Sequence, residues 1–589
     1  MRRPARHSRP TWHLLSLTGL ALASLTATLP SVRAATPAKS YAVTSESPGA
    51  TYEASRLLEA GGNAIDAAVL AALVSGFTNP SSSGIGGGGF ALIWSARDRK
   101  PYVFDFRETA PAGIAPSALD KRPLPVEKRG EAVGVPGEVA GLYELQQRFG
   151  QLKWRDIVLR AARLAERGFV TEPHTAWQLS QQKPSPLMTS PTFRSVYLPG
   201  GAPAPLGKQL RATKLAKTLT RIANEGKRGF YEGPVASDLV KATQAAGGTL
   251  ALTDLASYRV LERAPLSATW AGKQIFTMPL PSAGGLLLLQ TLGLFRASEL
   301  TAMSDAPGKR IHLLAEGMRG AFADRARYLG DPDFESVDVA KLLSPARLAR
   351  RKALMAEDRT HTQPRFGLEE AGTHHLATAD QQGNWVSLTT TVNEGFGAKI
   401  MAEQSGVLLN NELTDFSTPD SVAAFGMTES PNRVRPGARP ISSMTPTLIV
   451  ERGEPILSLG GSGAITIPTN ITQVLLSRVI DGMPLDAAVA APRFMVPPPR
   501  TGQTLWLEAA LAGPYAADLE ARGELLQTRD WKNAVQAIAR ENGVFTAAAD
   551  PRKSGTASAV NAASSTSKST AAATGSDAGP AKSAPPAPQ

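Results

Sequence analysis

Residues 372–393 read GTHHLATADQQGNWVSLTTTVN, from Gly372 to Asn393, and the reading of the whole chain starts there. Two strands are predicted, Thr373 to Ala379 and Trp385 to Val392, around the turn Asp380-Gln381-Gln382-Gly383-Asn384. Gly and Asn supply the positive φ that such a turn needs, and the β-branched flanks suit strands. A hairpin centred near Gln382 without a bulge sets Thr373 directly opposite Thr391. Directly opposed residues point their side chains to the same face. Two hydroxyls then stand side by side at the start of a strand. That geometry suits an N-terminal threonine nucleophile, provided the backbone is cut between Gly372 and Thr373.

Composition narrows the setting. The 589 residues can bury a large core, and length alone suggests about two to four domains. Cysteine is absent, which excludes disulfides, thiolate metal sites and a lipid-bearing cysteine. Residues 1–34 read as a secretory leader: Arg2, Arg3, Arg6 and Arg9, an apolar run from Leu14 to Leu29, and Val32-Arg33-Ala34 before a cut at Ala35. The strict twin-arginine pattern is missing, so general secretion to the periplasm or the medium is expected. The alternative, an uncleaved anchor, is disfavoured because the run is short for a span. Setting aside the leader arginines, Arg33 included, lowers the formal charge from +12 to +7. With no basic run interleaved with aromatics, nucleic acid is not an expected partner, and no later segment has the apolar length of a membrane span.

Along the chain, Tyr52 to Phe77 has helical periodicity broken at Gly61-Gly62. Gly84-Ile85-Gly86-Gly87-Gly88-Gly89 matches a G-x-G-x-x-G pattern, but a helix precedes it and a strand follows. A nucleotide loop needs the reverse order, so close backbone packing is the reading and no cofactor is expected. Val103 to Phe106 is a predicted strand, Trp154 to Arg167 an amphipathic helix, and residues 210–330 are expected to be mostly helical. Arg351 to Gly372 lacks periodicity and reads as an exposed segment ending at the proposed cut. Pro455 to Leu459 is a predicted strand before the loop Gly460-Gly461-Ser462-Gly463-Ala464, with a helix from about Pro468 to Asp481. From Ser554 the chain is an Ala/Ser/Thr/Pro-rich tail expected to be disordered.

The histidines decide between nucleophiles. Gly460-x-Ser462-x-Ala464 resembles a nucleophile elbow, yet none of the seven histidines follows His375, and that serine chemistry needs one downstream. His374 and His375 would face opposite ways on a strand and read as structural rather than metal-ligating. A threonine freed at its α-amine carries its own base, whose pKa of about 7.7–8.0 suits neutral pH.

The motifs together resemble those of the γ-glutamyltranspeptidases (glutathione hydrolases) of the N-terminal-nucleophile hydrolase superfamily. They run from about Tyr41 to Arg552 in family order: Gly61 to Ala68, Gly84 to Phe90, Asp105-Phe106-Arg107-Glu108, Pro281-Ser282-Ala283-Gly284-Gly285, Asp324-Arg325 with Leu329-Gly330-Asp331-Pro332, and Thr373-x-His375. Asn410-Asn411-Glu412-x-x-Asp415-Phe416, Arg439-Pro440-Ile441-Ser442-Ser443-Met444 and Asp550-Pro551-Arg552 complete the set.

The resemblance implies an α/β four-layer αββα sandwich, autocleaved at Gly372-Thr373 into a heterodimer of residues 35–372 and 373–553, with 554–589 as tail. It implies a γ-glutamyl ester on Thr373, resolved by water or an acceptor amine, with Thr391 bonded to the nucleophile. Arg107, Ser442 and Ser443 match positions that hold the substrate α-carboxylate, and Asn393, Glu412 and Asp415 those that hold its α-ammonium. Gly463 and Ala464 match the oxyanion donors, although Ala464 replaces a family glycine and Ile465-Thr466 the usual S-R. Ser417 to Arg439 matches the lid, with Phe425 as its aromatic. A cephalosporin-acylase-like amidase on the same fold and an uncleaved, non-catalytic binder of γ-glutamyl groups are the alternatives.

Overall fold

The computed structural model describes residues 39–360, 372–423, 426–496 and 504–562. The leader, the stretch before the proposed cut, Phe425 and residues 563–589 lie outside them. Among the described residues no helix is long and apolar enough to cross a membrane.

Two antiparallel sheets stack at the centre. The first has seven strands, in the order Thr556–Val560, Tyr41–Ser45, Gly372–Asp380, Trp385–Asn393, Gly88–Ser95, Lys100–Phe106 and Leu261–Arg263. The second has six: Val544–Ala549, Ala534–Glu541, Glu454–Ser462, Thr447–Glu451, Lys273–Thr277 and Leu266–Trp270. Side-chain alternation along the hairpin divides it between two cores. Leu376, Val386 and Leu388 pack with the helix Ala64–Thr78, while Ala377, Ala379 and Trp385 pack with Leu448, Leu457 and Leu459 of the second sheet. Helices Gly284–Gly293, Pro307–Tyr328 and Ile467–Val479 cover the far side. The order of layers is helix, sheet, sheet, helix, as expected.

Local chemistry explains why the elements begin where they do. Asn63 and Asp66 form a reciprocal capping box at the N-terminus of Ala64–Thr78, with Asn63 Oδ1 accepting from Asp66 N at 2.9 Å and Asp66 Oδ2 from Asn63 N at 3.1 Å. Asp380, at the hairpin turn, accepts from the Ala64 N–H at 2.9 Å, so the turn itself caps this helix. The glycine run packs backbone against backbone: a Cβ on Gly87 would come within 1.9 Å of the Thr391 carbonyl oxygen. No side chain fits there.

Four expectations are corrected. Residues 261–277 form three strands rather than continuing the helical stretch: Leu261–Arg263 pairs into the first sheet, and Leu266–Trp270 and Lys273–Thr277, which carry β-branched and aromatic side chains, pair into the second. The helix Pro345–Leu354 runs through Arg351, so the segment expected to be irregular from Arg351 begins as helix. Gly460, Gly461 and Ser462 belong to the strand Glu454–Ser462, where the glycines let it approach the hairpin: a Cβ on Gly460 would lie 1.9 Å from the His375 ring. Finally, the tail does not start at Ser554. Thr556–Val560 pairs antiparallel with Tyr41–Ser45, its alternating small side chains being enough for an edge strand.

Candidate active site

The hairpin register places Thr391 directly opposite Thr373, as the turn geometry required. A bulge follows at once, and Asn393 pairs with Gly372. Alternation then fixes the direction of each side chain. His374 points to the helix side, bonding Ser75 Oγ at 3.0 Å, and His375 points to the second sheet, bonding Thr389 Oγ1 at 2.7 Å. Thr373 and Thr391 share the His375 face and so open into the seam between the sheets. Both histidines are buried, which holds the pKa of His375 down at about 3 and that of His374 well below its ordinary value. They are neutral structural groups.

Thr373 is 4 % exposed. Its carbonyl accepts from Lys553 Nζ at 3.1 Å, and Thr391 Oγ1 accepts from the Asn393 N–H at 2.7 Å. Across the seam, the Glu454–Ser462 strand ends at Gly463, with φ 121°, and Ala464, with φ 53°. Ala464 therefore adopts the left-handed conformation that a glycine would reach without strain. A short 3-10 turn, Ala464–Thr466, begins here, and the first N–H groups of such a turn have no acceptor within it. Thr466 Oγ1 donates to Gly463 O at 2.7 Å and itself accepts from Asn533 at 3.0 Å, which fixes the loop.

Arg107 closes the other end. It is fully buried just beyond the strand Lys100–Phe106, its N–H donating to Asp105 Oδ1 at 3.0 Å and its carbonyl accepting from Tyr258 Oη at 2.8 Å. The guanidinium pairs with Glu412 through Nη1, with Asp415 through Nη2 at 2.6 Å, and with the Pro440 carbonyl through Nε at 3.1 Å. Asp105 accepts from the Arg107 backbone and pairs with Arg263 at 2.7 Å. Burial opposes the charge on Arg107, but Glu412 and Asp415 outweigh it and raise its pKa. Burial likewise pushes up the carboxyls of Glu412 and Glu108, Glu108 well above its ordinary value with Glu412 adding to the push. Of the two carboxyls, Glu108 holds a proton more readily, and Glu412 carries the charge that Arg107 neutralises.

The remaining predicted residues gather around these. Asn393, at φ 73°, donates to Asn411 O at 3.1 Å and to Thr414 Oγ1 at 2.8 Å, linking the hairpin to the 3-10 turn Glu412–Asp415. Ser442 bridges to Ser282, its N–H donating to Pro281 O and its carbonyl accepting from Ala283 N, each at 2.9 Å, while its Oγ accepts from Met444 N at 3.0 Å. Ser443 beside it is 7 % exposed. The Pro281-Ser282-Ala283 and Ser442-Ser443-Met444 motifs are thus two sides of one contact. Phe425 lies outside the described residues, while the loop around it contains one helical turn, Pro419–Ala423. Sequence reasoning missed Glu46 and Lys553, which meet at 3.1 Å beside Thr373. Lys553 directly follows a recognised motif, and a lone lysine before a low-complexity tail gives no other signal.

Stacked antiparallel sheets between helices, with a threonine opening into the seam, define the N-terminal-nucleophile hydrolase class of fold. The cephalosporin acylase of Bacillus halodurans superposes with a TM-score of 0.79 at 26% identity, covering 92% of this chain and 100% of that one. The γ-glutamyltranspeptidase of Helicobacter pylori superposes with a TM-score of 0.51 at 34% identity, over 53% and 91% of the two chains. The family model for gamma-glutamyltranspeptidase matches residues 50–560. The glutathione hydrolase proenzyme of Pseudomonas aeruginosa is 38% identical over 521 residues, covering 85% of this chain and 91% of that protein. That of Escherichia coli is 32% identical over 535 residues, with 87% and 91% covered. The chain belongs to the γ-glutamyltranspeptidase family.

Proposed function

We propose that the protein is a γ-glutamyl hydrolase and transferase, acting on glutathione and related γ-glutamyl amides through an ester on Thr373. The observation that carries this is the side-by-side placement of Thr373 and Thr391 on the seam face, with Lys553 tying the Thr373 carbonyl to Ser462, the residue before Gly463 and Ala464. Maturation begins with attack of Thr373 Oγ on the Gly372 carbonyl carbon. The peptide C–N bond breaks, the Thr373 nitrogen leaves as the α-amine, and water hydrolyses the resulting ester to free the Gly372 carboxylate and the hydroxyl. The α-amine then takes the Thr373 hydroxyl proton while Oγ attacks the γ-amide carbon. The oxyanion is met by the N–H groups of Gly463 and Ala464, and the departing amine takes the proton back from the α-ammonium. Water or an acceptor amine resolves the ester by the same steps in reverse.

Charge at the far end supports a γ-glutamyl group in particular. Its α-carboxylate suits Arg107 with Ser442 and Ser443, and its α-ammonium suits Glu412, Asp415 and Asn393. A zwitterion exchanges the Arg107–Glu412 and Arg107–Asp415 pairs for equivalent ones with itself. A glutaryl amide lacks the ammonium and leaves buried Glu412 uncompensated, which argues against the acylase reading. The leader read in the sequence supports secretion or a periplasmic site, and the relatives' being proenzymes supports a heterodimer of residues 35–372 and a chain from Thr373. N-terminal sequencing of the small chain tests cut site and nucleophile together. A first residue of Thr373 is expected, and an uncut protein of 62.0 kDa, or one active only on glutaryl amides, would overturn the proposal.

A further inference from the structure

The buried ammonium of Lys553 has three N–H donors, and each has a partner. They are Glu46 Oε2 at 3.1 Å, the Thr373 carbonyl at 3.1 Å and Ser462 Oγ at 2.8 Å. Lys553 is 5 % exposed and Glu46 1 %. An ion pair that merely neutralised Glu46 would need one of these contacts. The other two reach the residue read as nucleophile and the residue immediately before the Gly463-Ala464 turn. Glu46 adds a fourth tie, its Oε1 accepting from the His375 N–H at 3.1 Å.

The segment that presents the lysine is itself firmly built. Asp550 accepts from Arg493 Nη2 at 2.7 Å, from Val535 N at 2.9 Å and from Arg552 N at 3.0 Å. The 3-10 turn Pro551–Lys553 follows and is closed by Ser554 at φ 58°. Lys553 is therefore aimed by the fold, not by its own flexibility.

Resting on the reading of Thr373 as nucleophile, we propose that Lys553 is a positioning residue. It locks the Thr373 carbonyl and the Ser462 end of the oxyanion strand into one frame, and its charge favours the neutral, base form of the Thr373 α-amine after cleavage. A cation beside an amine disfavours adding a second positive charge. Few other charges compete on the nucleophile. His374 and His375 on its own strand and His174 from the helix Pro173–Ser180 are held neutral by burial. Glu172, bonded to Ser47 Oγ at 2.9 Å, is pushed by burial up to about 7. At the far end of the site Arg107 is paired with both Glu412 and Asp415, which leaves at most one negative charge there. Among the described residues Glu46 is the carboxylate that pairs with Lys553, and burial pushes it up against the pull of the lysine.

The test is the pH profile of kcat/KM, whose acid limb reports the essential base of the free enzyme. In the full-length chain, Lys553→Met should move that limb up by about one pH unit as well as lowering kcat. Lys553→Arg keeps the charge without the three-way geometry, and should lower kcat with the limb in place. Glu46→Gln leaves the ammonium uncompensated and should move the limb down. Reduced kcat with an unmoved limb in both Lys553→Met and Glu46→Gln would overturn the proposal. Should Lys553→Met remain uncut, the direction in Glu46→Gln decides, an absent or upward shift counting against it. N-terminal sequencing separates the two readings: a wild-type small chain that does not begin at Thr373 removes the nucleophile itself. One that does, with an unmoved limb, removes only the role of Lys553.

Discussion

The two ends of the site are held by different physics. The Thr373–Thr391 end is a backbone ladder, in which every position follows from strand register and a one-residue slip of either strand would turn its hydroxyl into the helical core. The Arg107 end is assembled from charge, joining residues some 305 positions apart in the chain through buried ion pairs. Ladder geometry tolerates side-chain changes but not register errors. The charged end is the reverse, since removing one partner strands another in a low dielectric. The proposed chemistry sits on the end held by register, and the proposed selection of substrate on the end held by paired charge.

The sharpest way to break this contrast is Thr373→Ala. It should leave the chain as one uncut species on a denaturing gel and lower activity by about 10⁴-fold or more, with the fold intact by circular dichroism. A processed Thr373→Ala protein would remove the hairpin from the chemistry. At the other end, Arg107→Gln should raise KM for a γ-glutamyl amide by about 10²-fold, with a smaller effect on kcat. A KM within about threefold of wild type would place carboxylate recognition elsewhere.

Glu138 is buried at the start of the helix Glu138–Phe149, its N–H donating to Gly87 O at 3.0 Å within the glycine run. Burial pushes its carboxyl up to about 8. The folded protein thus keeps a proton that an unfolded glutamate releases near about 4.3. Stability should fall as pH rises between those values, by on the order of a few kcal/mol. Glu138→Gln should flatten that decline, read as a smaller difference in Tm between pH 5 and pH 8. Parallel Tm curves for variant and wild type would contradict it. The smallest effect is expected at Ala464, where glycine relieves the left-handed backbone but adds unfolded-state freedom, a net change under about 1 kcal/mol. A change of kcat beyond about threefold in Ala464→Gly would show that the alanine strains the oxyanion donors and not only the backbone.

Legibility in the sequence followed the same divide. The hairpin, the opposition of its threonines and the capped helix after Gly62 rest on short-range rules, and all of them could be read from neighbouring residues. The Arg107 cluster could be approached only through resemblance, because no local pattern says that residues 107 and 412 meet. Even then the detail differed, with Arg107 bonded to the acids meant for the ammonium. The strands between Leu261 and Thr277 were hidden by the helices around them. Lys553 and Thr556–Val560 were hidden by composition, since small residues look alike in a disordered tail and in an edge strand until a partner is known.

That edge strand has a consequence for the mature protein. The strand Tyr41–Ser45, upstream of the proposed cut, is hydrogen-bonded on one side to Thr556–Val560 and on the other to residues 376–380, both belonging with the downstream piece. Once the peptide bond is broken the two polypeptides are interleaved like the fingers of folded hands, and neither can leave without unzipping ladders on both flanks. Severing the chain frees an amine while releasing nothing, so the products should never trade partners between molecules.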